Sequence, residues 1–213
     1  MINLGPPSQI RRLPQRRLTG GIRPGNNPNG VSTRWIMLAY LFVIFAVLTR
    51  MPFMPHPWNF TPVAAALLYF GARGSRRQLW FPFVLLAASD VILTKFVYSY
   101  PLTADQLIVW AWYAAILFLG TRLGKNSNWL WIGTAALASS VSFFLASNFA
   151  VWAFGTMYPK TVSGLMTCYA AGVPFFRRGL AGDMLFTTVM FGMPALAALV
   201  ARSVLKPQGT AAA

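Results

Sequence analysis

The sequence predicts an all-α integral membrane protein: a six-transmembrane-helix bundle with a short extra helix in the last outer loop. Three observations carry that prediction. The chain is 56% hydrophobic and only 10% charged, with a mean hydropathy of +0.54, where a soluble domain carries about a quarter charged residues. Its apolar runs end at basic residues, the pattern of topology signals and lipid-headgroup anchors. Acids are scarce: three aspartates and no glutamate stand against 18 lysines and arginines, a net charge of +15.

Residues 1–33 hold Pro6, Pro7, Pro14, Pro24 and Pro28 and five arginines, with apolar residues isolated between them. Such an arm buries no core and is expected to be disordered, lying on anionic headgroups. No small-x-small cleavage site follows the first apolar run, so a cleaved signal peptide is not expected. The membrane domain is placed at 34–205 and a short tail at 206–213.

The first span runs from Trp35 to about Thr49. A stiff extended stretch follows, because Pro55 and Pro57 keep the residues before them out of helix. Thr61 then suits an N-cap, and Pro62 the first position of the second span, Thr61–Ala72. About 12 residues at ~1.5 Å each fall short of the ~30 Å hydrocarbon core. That helix must recruit part of the proline stretch or be shielded from lipid by its neighbours. The third span runs from Leu79 to about Thr94. The fourth runs from Asp105 to about Thr121, with Thr103 and Gln106 spaced as a capping box. Trp129–Gly155 is the fifth span, and Gly182 to about Ala201 the sixth. In the fifth, small residues four apart (Ala135/Ser139, Ala136/Ser140, Ser142/Ala146) read as packing faces.

Val162–Phe176 is apolar but short, and Pro174 interrupts it, so it reads as a helix within the outer loop. Its alternative is a seventh span. The basic residues decide between them. With six spans, thirteen bases fall on the side of the arm and five on the other, namely Arg50, Lys95, Lys160, Arg177 and Arg178. That obeys the positive-inside rule and predicts a multi-pass protein of the cell inner (plasma) membrane with both termini cytoplasmic.

All three acids then lie in the outer half. Asp105 and Asp183 open helices, where the dipole favours an anion. Asp90 sits inside an apolar run, where an ionised carboxylate needs a partner or a wet cavity. The outer end also gathers aromatic side chains, the material of small-ligand pockets, although an aromatic belt with snorkelling bases explains part of the pattern. The residues expected to bind ligand are His56, Trp58, Asn59, Asp90, Asn148, Tyr158, Lys160, Arg177, Arg178 and Asp183. Five bases against three acids leave that end at about +2, which favours an anionic solute.

Enzymatic chemistry has little support. The chain has no phosphate-binding glycine loop, no HExxH and no serine elbow. The single cysteine, Cys168, excludes an internal disulfide, and no Cys/His set has metal spacing. Neither cofactor nor metal is expected. Nucleic acid is not an expected partner, because the bases outside the arm flank apolar runs.

PHPWNFTPVAAALLYFGA at 55–72, SNFAVWAFGTMYPKTVSGLMTCYAAGVPFFRRGLAGDMLF at 147–186 and the aspartate of AASDVIL at 87–93 carry a resemblance. The chain resembles an uncharacterised bacterial family of small six-helix membrane proteins. Its members are often labelled transport proteins and likened to substrate-binding S components of energy-coupling-factor vitamin transporters. The resemblance implies capture of a small, vitamin-like or anionic solute at the outer side. It leaves open a transmembrane/ATPase energising module as partner. S components usually dock that module through Ala-x-x-x-Ala on the first helix, and Ala39 and Ala46 are not so spaced. A non-transport scaffold binding a partner protein, and a small intramembrane enzyme using His56 and Asp183, are the alternatives.

Overall fold

A computed structural model describes residues 33–53, 59–124 and 128–204. The basic arm, apart from Thr33, lies outside the described residues, as do the tail and two chosen site residues, His56 and Trp58. Among the described residues there are six α-helices and no strand: α1 (Thr33–Leu48), α2 (Val63–Arg73), α3 (Trp80–Ile92), α4 (Asp105–Arg122), α5 (Trp129–Phe154) and α6 (Val162–Val204). A 3₁₀ turn at Arg76–Gln78 leads into α3, and a π turn at Leu93–Val97 ends it.

The bundle is built around α2. Every residue from Val63 to Gly71 is buried, as befits a helix that is apolar on all sides. Shielding by neighbours is therefore how so short a helix is accommodated. Ala39, Val43 and Ala46 form the buried stripe of α1, so both alanines face inward. Tyr40 meets Phe70 edge-on and Phe42 meets Tyr69, while Tyr69 also packs on Phe191 of α6. Against α4 the backbones themselves touch. A Cβ on Gly71 would sit 2.4 Å from the Leu117 carbonyl oxygen and 2.8 Å from the Gly120 Cα. Only a glycine pair permits that crossing.

Two helix starts differ from expectation. Pro62, not Thr61, is the N-cap of α2, and its carbonyl accepts from the Ala66 amide at 2.9 Å. The capping box before α4 does not form. The Thr103 hydroxyl donates to Asp105, and the Gln106 side chain reaches Thr94 at 3.4 Å. Asp105 takes the hydroxyl because it is the nearer and charged acceptor.

The larger correction is α6. Val162–Phe176 is neither a separate outer helix nor a seventh span, because it continues without a break into the sixth. Pro174 and Pro194 each remove one amide donor, but the bonds on either side carry on. Gly179 and Gly182, which look like helix stops, instead lie within the helix beneath Asn59 and Phe60, where a Cβ on Gly182 would come within 3.2 Å of the Phe60 ring. α6 runs antiparallel along the whole of α5. Tyr169 and Phe176 stack on Phe144, Asp183 meets Ser140, and Gly192 lies beneath Trp129. Gly164, Cys168 and Gly172 are buried in its first half while Val162, Met166 and Val173 are exposed. Small residues inward and large apolar ones outward is the arrangement of membrane helices.

Among the described residues, three stretches are long and apolar enough to cross a membrane: Arg76–Val97, Trp129–Phe154 and Val162–Ala197. α1 and α2 are apolar but shorter. Leu130, Leu137 and Phe149 of α5 and Leu185, Met193 and Leu196 of α6 are exposed, far more apolar surface than soluble proteins present. These features suggest a membrane protein.

Candidate functional site

Towards one end of the bundle the helices part around a cavity of about 340 Å³, within the range of small-molecule pockets. Two of its walls share one periodicity. α5 presents Ser140, Phe143, Phe144, Ser147, Asn148 and Val151, and α6 presents Gly172, Phe175, Phe176, Gly179, Leu180 and Asp183. Both are i, i+3, i+4, i+7, i+8, i+11 series, a single helix face each. Trp112 and Tyr113 of α4, Val63 and Ala64 at the start of α2, and Arg50, Asn59 and Thr61 from the connection before α2 complete the lining. Asn59 has φ +62°, a left-handed turn that asparagine tolerates better than most residues.

Arg50 does not stand alone. It forms an ion pair with Asp90 and donates to the Ser89 hydroxyl at 3.1 Å and the Tyr113 hydroxyl at 3.2 Å. Asp90 also accepts from the Trp110 indole at 3.0 Å and from the Tyr113 hydroxyl at 3.3 Å. The Asp90 side chain is only 5% exposed and that of Arg50 19%. The cluster is therefore a buried, hydrogen-bonded pair, with Arg50 on the cavity wall.

Asp183 is held differently. It accepts one hydrogen bond, from Ser140 at 2.6 Å, and no cation pairs with it among the described residues. Asn148 donates to the Phe144 carbonyl at 2.8 Å and lies over Gly172, where its amide leaves no room for a Cβ. The Cys168 thiol is buried against the Asn148 carbonyl at 3.3 Å. No group of three metal-binding side chains gathers among the described residues.

Of the ten residues chosen from sequence, Asn59, Asn148 and Asp183 line the cavity. Asp90 lies one layer behind it, through Arg50 and Tyr113. The basic set is not brought together. Lys160 turns back to the carbonyls of Trp152 and Gly155 at the end of α5, where a helix favours a cation. Arg177 and Arg178 are exposed, on the outward side of α6. Tyr158 is half-buried and not part of the lining. The ligand charge expected from these bases therefore loses its basis. Sequence reasoning passed over Arg50 as a site residue, and with it Ser140, Ser147, Trp112 and Tyr113. The α5 series was legible, since Ser140, Ser147 and Asn148 share a face with Phe143 and Phe144.

No curated protein and no solved structure matches this chain. A family profile described as a family of unknown function, DUF6580, matches residues 30–206. The chain belongs to the DUF6580 family.

Proposed function

We propose that this protein is an S-component-like solute-binding protein for uptake, not an enzyme, holding a small molecule in the cavity between α2, α4, α5 and α6. In this reading all six helices cross the cell inner membrane with both termini cytoplasmic, and the short α1 and α2 are tolerated because α2 meets protein rather than lipid. The observation that carries it is the cavity's place in the bundle. Its lining comes from the second half of α5, the first half of α6 and the approach to α2. The opposite end holds Arg73, Arg76, Arg77 and Arg122, with Arg76 donating to the Thr121 carbonyl at 2.7 Å. A pocket at the end away from Arg73, Arg76, Arg77 and Arg122 is where an outward-facing receptor for solutes would have it.

The test uses the full chain in lipid nanodiscs and native mass spectrometry. The wild type is expected to carry a co-purifying small molecule. Ser147→Trp, which fills the cavity, is expected to lose it without loss of folded yield. Arg177→Ala with Arg178→Ala is expected to keep it, since neither side chain reaches the lining. Equal retention by the Ser147→Trp protein would overturn the reading.

A further inference from the structure

We infer that the cavity is built for an organic cation, a small amine whose ammonium group sits against Asp183 and whose apolar part lies on the aromatic walls. The inference rests on the pocket reading above and adds the chemical class of its ligand. Its first support is the balance of charge. Asp90 offsets the charge of Arg50 and, with Tyr113 and Ser89, takes three of its five donors. Asp183 has only the Ser140 hydroxyl, and no cation among the described residues. Among the described residues the wall therefore carries an uncompensated carboxylate, a costly arrangement away from water unless a cation completes it.

The second support is the aromatic side chains that line the same cavity. Trp112 and Phe143 have ring centroids 4.8 Å apart, and Phe144 and Phe176 are likewise 4.8 Å apart. Ring faces attract ammonium groups and repel carboxylates, more strongly where water is excluded. The bases that would have reversed this preference, Lys160, Arg177 and Arg178, do not line the cavity. An anionic ligand at Arg50 would meet a guanidinium whose charge Asp90 already offsets, and elsewhere in the cavity it would face Asp183.

The experiment is calorimetric titration of the full chain in nanodiscs with three probes of one shape: phenethylammonium, 2-phenylethanol and phenylacetate. Phenethylammonium is expected to bind tightest and phenylacetate weakest. Asp183→Asn is expected to weaken phenethylammonium by about tenfold to a hundredfold, the loss of a charge-assisted hydrogen bond, and to leave the alcohol unchanged. Asp183→Glu keeps the charge and is expected to keep the order of the three. Tightest binding of phenylacetate, or phenethylammonium binding untouched by Asp183→Asn, overturns the assignment. If the alcohol or the carboxylate binds best and Ser147→Trp abolishes it, the pocket stands and the cation falls. If no probe gives a signal that Ser147→Trp removes, both fall.

Discussion

The cavity has two kinds of wall. On the side of α1 to α4, the carboxylate is fully engaged: Asp90 is held by Arg50, Trp110 and Tyr113, and α2 and α4 touch backbone to backbone at Gly71 and Gly120. On the side of α5 and α6, Ser139 turns back onto the Ala135 carbonyl of its own helix, while Ser140 reaches Asp183. There Asp183 keeps a single partner among the described residues, and Gly172 faces a side-chain amide instead of a backbone. The difference teaches that a carboxylate in an apolar helix has two meanings. Where its partners come from three other points of the bundle it is a lock, and where it has one short hydroxyl it is unfinished.

The strongest test of that contrast is to open the lock. Arg50→Ala leaves Asp90 charged inside the bundle with only two neutral donors, and is expected to cost about 3–5 kcal/mol. Reversible unfolding in mixed micelles measures it. Arg50→Met combined with Asp90→Leu removes both charges and is expected to recover most of the loss, because an apolar pair needs no desolvation. If Arg50→Ala unfolds like the wild type, charge does not hold this wall together.

Next in size is a pair of glycine substitutions, one on each side of the bundle. Gly71→Ala places a methyl 2.4 Å from the Leu117 carbonyl oxygen and 2.8 Å from the Gly120 Cα. Neither can rotate away, so α2 and α4 must separate, at about 1–3 kcal/mol. Gly172→Ala meets only the end of the Asn148 side chain, its nearest atom 2.4 Å away. That amide can turn, giving up its bond to the Phe144 carbonyl. The loss should stay under about 1 kcal/mol, offset by alanine's better helix propensity. Equal losses in the same unfolding assay would erase the contrast between a fixed and an adaptable wall.

Helices α1 to α5 were legible because apolar runs between charges and prolines mark them whatever the tertiary structure, and Trp129–Phe154 ends within one residue of its expected limits. The fate of Val162–Phe176 was not legible. Pro174, the two arginines after it and then Gly179 and Gly182 look locally like a helix ending and another beginning. Only the approach of Asn59 and Phe60 shows those glycines to be points of close contact. The site was half legible for the same reason. Asp183 and Asn148 stand out as polar residues in apolar sequence. The partnership of Arg50 with Asp90 joins residues 40 positions apart, and spacing along one helix cannot announce it. The bases misled because a charge near a predicted mouth can be spent elsewhere, as Lys160 is on the end of α5.

The smallest expected effect completes the comparison. Asp183→Asn keeps the side chain's size, and its amide oxygen can still accept from Ser140. It weakens one charge-assisted hydrogen bond but also relieves the cost of an uncompensated carboxylate, and the two changes oppose each other. Ligand-free stability should therefore move by no more than about 0.5 kcal/mol. The same replacement at Asp90 removes the anion that Arg50 is paired with, and should approach the damage done by Arg50→Ala. Melting curves of the two asparagine variants, side by side after exhaustive dialysis, separate the roles. Dialysis matters because a retained ligand would lend the wild type stability by mass action and make Asp183 look structural. If Asp183→Asn loses as much as Asp90→Asn even then, the carboxylate on α6 is a second lock, and the open side of the cavity is as fixed as the closed one.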